Sequence, residues 1–454
     1  MRIWMFCSAA HFRTHGARRL NWKSKLIQTT MTSPTQSAVR WYPPSFDIRV
    51  EQVPVPEINE PDDAIVKVKL AALCGSDLHI YRGHAGINKV HICGHEFIGE
   101  VVKLGLSYGG QAQGRPDLYS NLKVGDKVVS PFTVSCGECS VCRLGYTCRC
   151  PHGALFGSPA LEGGQAQYVR VPKAGGTLYN LSDTSSWSTS LSDKTATAAL
   201  DKISESSLVL LADILPTGVF AAMQALSHPK VLTALTGRPC PLNFFPLKDL
   251  PSKQDALVQE DRTLTFAIVG LGPVGICAAV SLLDLLSAGQ YPFRVVAIDP
   301  IESRREKMQA VYSKISPDGR GSGEFITKVQ AWTSGVGCTA VLEVVGNNSA
   351  LSLAYDLVRD FGAIISVGVH GANQVPFTGR QLYNKNVSLE FGRCPARTMF
   401  PPAFELLAKR QDVFGGVGDP SSLVDRIAGF DEAPEMYRAF EKGEVGKVIF
   451  DPWK

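Results

Sequence analysis

The chain has 454 residues, 44% hydrophobic and 19% charged, which supplies ample material for packed cores and excludes wholesale disorder or a fibrous repeat. At roughly 100–200 residues per domain, two or three domains are expected. The formal net charge of +4 is local: residues 1–46 hold seven basic side chains and no acid, whereas from Met31 onward 40 basic residues face 42 acidic ones. A nearly neutral body argues against a nucleic-acid-binding surface.

Residues 1–30 are Arg-rich, free of acids and contain Ser and Thr, the composition of a mitochondrial transit peptide. The other reading is that translation starts at Met31. The expected location is accordingly the mitochondrial matrix or the cytoplasm, with residues 1–46 a leader or an unstructured N-terminus. From Phe46 to about Val102 the stretches DIRVEQV, AIVKVKLAALC and FIGEVVKLG alternate apolar and polar residues, predicting strands. VGDKVV and AQYVRVP extend this antiparallel β-rich opening. Beyond about residue 205 the pattern changes. Leu208–Leu226 reads as a helix interrupted at Pro216, and then TFAIVG, RVVAID, AVLEVVG and AIISVGV recur between helical stretches. Apolar β-branched runs alternating with helices predict an α/β fold with a doubly wound parallel sheet. Ser182–Ser207 and His228–Arg262 read as surface insertions. Phe266–Leu283 is uncharged and long enough to span a membrane, but Gly270, Gly272, Pro273 and Gly275 would break it, so no membrane span is expected.

Thr265–Gly275 reads TFAIVGLGPVG, a strand leading into Gly270-x-Gly272-Pro273-Val274-Gly275 and an apolar helix. The first Gly permits a tight turn, the second lets the backbone approach a pyrophosphate, and the third allows close helix–strand packing. The helix N-terminus offers unpaired N–H groups and a positive dipole end to phosphates. The next strand ends in Asp299, whose carboxylate can accept from both ribose hydroxyls and would repel a 2′-phosphate, favouring NAD over NADP. Arg304 and Arg305 follow closely and soften that preference.

Twelve cysteines in a chain of this length do not suggest a secreted disulfide scaffold. Cys136, Cys139, Cys142 and Cys150 offer four thiolates within a short stretch, the donor set of a closed, structural zinc site. Cys148 is an alternative fourth donor. Upstream, Cys74-Gly-Ser76-Asp77-x-His79 and Gly94-His95-Glu96 bring a thiol and an imidazole with a neighbouring carboxylate, which read as an open zinc site lacking its third ligand.

These motifs together resemble the zinc-containing medium-chain alcohol dehydrogenases, and within them the glutathione-independent formaldehyde dehydrogenase-like branch. The resemblance runs from about Asp47 to the C-terminus, outside the two insertions. It implies that Cys74 and His95 bind a catalytic zinc with Asp213, in ADILPTG, as third ligand, and that Asp77 orients His95. Glu96 matches a carboxylate able to approach the metal, and Cys136, Cys139, Cys142 and Cys150 match the structural zinc ligands. Ser76 and His79 match a relay that carries the alcohol proton to solvent through the nicotinamide ribose. Thr217, Arg393 and Lys447 match cofactor contacts, Lys447 at the pyrophosphate, and Glu343–Gly346 with Ile365–His370 resemble strands lining the nicotinamide pocket.

The resemblance implies a chaperonin-10-like catalytic domain over 47–215, completed by 391–454, and a Rossmann domain over 216–390. The expected function is hydride transfer between an alcohol or aldehyde hydrate and NAD, with two zinc ions per chain, a small-molecule substrate and a homodimer or homotetramer. Rival readings are a polyol or sorbitol dehydrogenase, an aldehyde dismutase holding its NAD tightly, and a silent nucleotide- or zinc-binding relative.

Overall fold

A computed structural model describes residues 34–84, 86–110, 112, 114–185, 187, 189–238, 260–315, 329, 331 and 333–454. The basic leader, and most of the stretch between His228 and Arg262, lie outside them. Fifteen strands form three sheets among the described residues. The first is small: β1 (Thr35–Tyr42) pairs antiparallel with β2 (Asp47–Pro54) along its whole length and touches β4 (His91–Ile92). Here the expectation of an unstructured segment through residue 46 is corrected. Ala38, Val39 and Trp41 are buried with at most 1% exposure, Ala38 on one face and Val39 and Trp41 on the other, and that burial is what makes Thr35–Tyr42 a strand despite its Arg and Ser content.

The second sheet carries the metal-ligand candidates. Its strands are β3 (Ala64–Ala72), β5 (Glu96–Leu104), β6 (Lys127–Ser130), β7 (Tyr168–Val171), β8 (Tyr179–Asn180), β14 (Val424–Gly429) and β15 (Lys447–Asp451). The order is β14-β15-β3-β5-β6-β8, with β7 pairing the first half of β3 on the edge whose last residues pair β15. Thus the C-terminal strands complete the sheet begun near residue 64. The expected strands AIVKVKLAALC and FIGEVVKLG are β3 and β5, paired antiparallel.

The third sheet is parallel, in the order β10-β9-β11-β12-β13, from β9 (Leu264–Val269), β10 (Phe293–Ile298), β11 (Cys338–Glu343), β12 (Val358–Ser366) and β13 (Ser388–Phe391). Every residue of β9 and β11 is buried, as expected for strands covered on both faces. The helix Pro273–Ala288 follows β9 and packs against the helix Ile214–Ser227, where a Cβ on Gly218 would collide with Ala278 and Cys277.

Two further expectations are corrected. The break in Leu208–Leu226 falls at Asp213 (φ −151°, ψ −67°), between a 3-10 turn at Val209–Ala212 and the helix beginning at Ile214. Pro216 sits in that helix's first turn, where its missing N–H has no partner to lose. Ser182–Ser207 is not a loose insertion: Trp187 is 7% exposed, donates its indole N–H to the Asn180 carbonyl, and packs edge-on against Phe400 and Phe404. Among the described residues no single helix is long and apolar enough to cross a membrane. The bent apolar pair Glu205–Ala212 and Ile214–Ser227 is instead largely buried in the core.

Candidate functional site: two metal centres beside a dinucleotide turn

The first centre lies where β3 and β5 deliver their ends to the Asp213 break. Cys74 follows β3 and caps the helix Gly75–Tyr81, while His95 and Glu96 enter β5. Ligand atoms of Cys74, His95, Glu96 and Asp213 all lie within 4.8 Å of one another, and all four residues are buried. Asp213 Oδ2 stands 3.7 Å from Cys74 Sγ and 3.2 Å from His95 Nε2. A thiol, an imidazole and one carboxylate oxygen therefore face one point, a donor set that suits zinc.

The surroundings orient each donor. Asp77 joins the two ligand-bearing segments: Oδ1 accepts from His95 Nδ1 at 3.1 Å and Oδ2 from the Cys74 N–H at 3.0 Å. With Nδ1 donating, Nε2 is left with its lone pair for a metal. Thr217 Oγ1 donates to Asp213 Oδ1 at 2.8 Å. This bond orients the ligand carboxylate and leaves the oxygen's lone pairs and the methyl group of Thr217 open to other contacts. Burial and the Glu96 carboxylate push the Cys74 thiol up, and burial pushes Glu96 up against the opposing pull of Lys447. Burial works against charging His95, but Asp77, Cys74 and Asp213 outweigh it and hold the imidazole well above its ordinary range. A dication at the focus would relieve this crowding of negative donors.

Lys447 approaches the cluster from β15. It has no exposed surface; its ammonium pairs with Glu96 Oε2 and donates to the Leu73 carbonyl at 3.0 Å, and the residue also borders the space beside Gly272 and Pro273. The other Glu96 oxygen, Oε1, is buried without a hydrogen-bond partner. An orphaned carboxylate oxygen at this focus is what a metal would satisfy, so the residues present fit the ion. The lysine role was within reach of sequence reasoning: in the apolar strand KVIFD a buried ammonium needs an anionic partner.

Ser76 Oγ lies 3.7 Å from Cys74 Sγ, and His79 sits one turn further along the same helix, half-buried near Arg82 and His84. Phe132 sets its ring edge-to-face on His95 at 6.2 Å, giving the pocket an apolar wall.

The second centre is the lobe Cys136–Cys150. Cys136, Cys139, Cys142 and Cys150 converge, with Sγ–Sγ distances of 3.6 Å (Cys136–Cys150) and 4.0 Å (Cys136–Cys142, Cys139–Cys150). Backbone N–H groups of Glu138 and Cys139 donate to Cys136 Sγ, that of Cys142 to Cys139 Sγ, and that of Cys136 to Cys150 Sγ, all at 3.4 Å. These bonds favour thiolates, and Cys139, bonded first by the Cys142 N–H, is drawn down to about 7. Cys148 stands apart, donating to the Arg393 carbonyl at 3.2 Å, so Cys150 is the fourth member of the set. Arg393 itself is exposed. Arg115 holds the lobe to the β-sheet lobe by reaching both Asp62 and Glu138.

At the end of β9, Gly270 adopts φ +97° and a Cβ on Gly275 would collide with the Gly270 carbonyl oxygen, so neither position admits a side chain without rearrangement. Gly272 begins the helix Pro273–Ala288 with no side-chain cap and nothing within 4 Å of where its Cβ would stand. This leaves a bare helix N-terminus facing a cleft of about 90 Å³, lined among others by Leu271, Gly272, Pro273, Ser303, Arg304 and Lys447. The cradle fits a pyrophosphate. Val274 is half-buried in the helix's first turn. Asp299, at the end of β10, is 4% exposed and accepts from the Leu271 and Ile301 N–H groups at 2.8 and 2.9 Å, with Arg304 Nη1 at 3.4 Å.

Comparison with known proteins agrees with this geometry. Residues 60–183 match the alcohol dehydrogenase GroES-like domain and residues 273–409 the zinc-binding dehydrogenase family. The chain is 34% identical to a zinc-type alcohol dehydrogenase B of Aspergillus flavus over 92% of its own length and 82% of that protein's. A more distant relative, the formaldehyde dismutase of Pseudomonas putida, is 26% identical over 89% of this chain and 95% of its own. Among solved structures, the alcohol dehydrogenase TADH from Thermus sp. ATN1 superposes with a TM-score of 0.65 at 26% identity, covering 91% of this chain and 99% of that one. With its GroES-like sheet, its Rossmann sheet and its clustered metal donors, the chain belongs to the zinc-containing medium-chain alcohol dehydrogenases and is a zinc-dependent alcohol oxidoreductase.

Proposed function

We propose that the protein oxidises an alcohol or an aldehyde hydrate with NAD, at a site whose metal ligands are Cys74, His95 and Asp213, and that it falls in the formaldehyde dehydrogenase-like branch. The observation that carries the reading is the convergence of Asp213 with Cys74 and His95: a carboxylate takes the third ligand position, as the resemblance to that branch implies. Asp299 supports NAD, since a buried carboxylate beside the Gly-rich turn would repel a 2′-phosphate.

Zinc, when bound, polarises an alcohol oxygen and lowers its pKa toward neutrality. A nicotinamide, when bound, accepts the hydride from the alcohol carbon. The chain's part is positioning and proton handling. Asp77 and Thr217 fix the directions of His95 and Asp213. Ser76, beside Cys74, takes the hydroxyl proton, and His79 receives it further out for release to solvent. Burial, with help from Arg82 and His84, lowers the His79 pKa and keeps the ring neutral and able to accept. The lobe Cys136–Cys150 binds the second zinc, with no position left for substrate.

The test is a screen of NAD and NADP reduction with short alcohols, polyols and hydrated aldehydes, with zinc measured on the same sample. The expected result is turnover with NAD preferred and about two zinc ions per chain. No turnover of any substrate by fully metallated protein would sink the reading. Aldehyde turnover without added cofactor would replace it with a dismutase.

A further inference from the structure

The parallel sheet reverses direction at β9: the chain steps from β9 to β10 on one side, then crosses to β11 on the other. A dinucleotide lies across the carboxyl ends of the strands at such a point. The loops after β11 and β12, residues 344–346 and 367–370, therefore border the half of the cleft away from Asp299. The side chains that hold these loops form a cluster to which the reaction assigns no role.

Glu343, the last residue of β11, has no exposed surface. Oε1 accepts the N–H groups of Val345 and Gly346, both at 2.8 Å. Oε2 accepts the Ser366 hydroxyl at 2.6 Å and meets His370 Nε2 at 3.1 Å. His370 Nε2 is also 2.7 Å from Ser366 Oγ. A carboxylate only accepts, so the Ser366 proton points at Glu343, and Ser366 Oγ must accept from His370. That assigns the proton of His370 to Nε2. The four donors come from both loops and from β12, so one buried carboxylate ties them together.

The tie has geometric consequences at the cleft. Gly346 (φ +85°) and Gly368 are in backbone-to-backbone contact: a Cβ on Gly346 would strike Val369, and one on Gly368 would strike Gly346. Val345 and Val369 are left 39% and 49% exposed as an apolar ledge. Val345 also reaches the turn, its Cγ2 standing 2.6 Å from where a Gly270 Cβ would be. The His370 ring packs on Phe391 at the end of β13, 4.9 Å between centroids.

We propose that His370, acting with Ser366 through Glu343, is a positioning residue that fixes the ledge on which the nicotinamide half of the dinucleotide rests. The inference rests on the dinucleotide reading above. His370 touches no reacting atom: it supplies the fourth hydrogen bond to Glu343, and without it the two loops lose their common anchor.

The test compares NADH with ADP-ribose, which lacks only the nicotinamide ring, in calorimetric titrations of metallated wild type, His370→Ala and His370→Gln. The expected result is that His370→Ala weakens NADH about tenfold while ADP-ribose stays within about twofold. His370→Gln, whose amide can still donate, restores most of the loss. Should His370→Ala fail to fold, Ser366→Ala is expected to give the same split. Equal weakening of both ligands, or no change in either, overturns the proposal. Wild-type protein that fails to bind NADH at all overturns the dinucleotide reading and the proposal with it.

Discussion

Lys447 and Glu96 form an ion pair in which neither side chain has any exposed surface, at the inner edge of the Cys74–His95–Asp213 cluster. Two charges removed from water are tolerable only together. Losing one partner leaves the other unpaired in a dry site, whereas losing both removes the desolvation cost as well. Lys447→Met is therefore expected to destabilise the protein by about 3–5 kcal/mol in denaturant unfolding. Adding Glu96→Gln to the same chain is expected to recover most of that loss. A double variant no more stable than the single one would show that the two groups are not energetically coupled.

The two metal centres are expected to be separable. Asp213→Asn removes a charged donor from the first cluster and leaves the lobe Cys136–Cys150 intact, so zinc measured by atomic absorption should fall from about two per chain to about one, with little change in circular dichroism. Cys139→Ser should also lose about one zinc, but with a clear drop in melting temperature, because the lobe has few apolar contacts of its own apart from the cysteines. If Asp213→Asn kept both ions, the carboxylate would not be a ligand.

Arg115 holds the Asp62 carboxyl down at about 2 through its guanidinium, against a smaller effect of burial. A carboxylate with a depressed folded-state pKa stabilises the fold above its unfolded value of 3.8, and that contribution is lost as the pH falls through about 2. Both partners keep about a fifth of their side-chain surface exposed, so solvent screening limits the effect. Arg115→Met is expected to cost about 1 kcal/mol at pH 6, with the unfolding curves of variant and wild type converging as the pH is taken from about 4 toward 2. A gap that stays constant over that range would rule out the ion pair as its source.

The pH dependence of turnover carries a separate signature. With the His79 pKa lowered below its ordinary 6.5, chiefly by burial and then by Arg82 and His84, the neutral ring persists to lower pH than a free imidazole would allow. The acid limb of kcat/KM is therefore expected below pH 6.5. His79→Asn should lower kcat/KM by about 10- to 100-fold and erase that limb. An unchanged profile in the variant would remove His79 from the proton path.

Much of this site could be read before any coordinates. Four cysteines at short spacing, and a glycine pattern between a strand and a helix, carry their chemistry in the spacing itself, and the structure brings each set together. Asp213 is different: it lies 118 positions from His95, and only the resemblance pointed to it. The Lys447–Glu96 pair emerges only from the fold, because sequence shows that a strand contains a lysine but not which way the ammonium points. The Thr217 bond is hidden for the same reason, its hydroxyl turning back along its own helix to Asp213. The strand Thr35–Tyr42 escaped because its composition is that of a tail, and its partner is another weakly apolar strand. In Ser182–Ser207 the polar majority hid Trp187, which is buried against Phe400 and Phe404.

The placement of β15 between β14 and β3 has a consequence for how the molecule is made. Glu96 emerges from the ribosome 351 positions ahead of the lysine that neutralises it. Until β15 arrives, the end of β3 at Ala71–Ala72 lacks a partner on one side and the acidic pocket beside Cys74 has no counter-cation. The nascent chain must therefore hold this half-built lobe while the entire parallel sheet is synthesised, an interval in which an early-bound divalent ion, or a chaperone covering that edge, would protect it from aggregation.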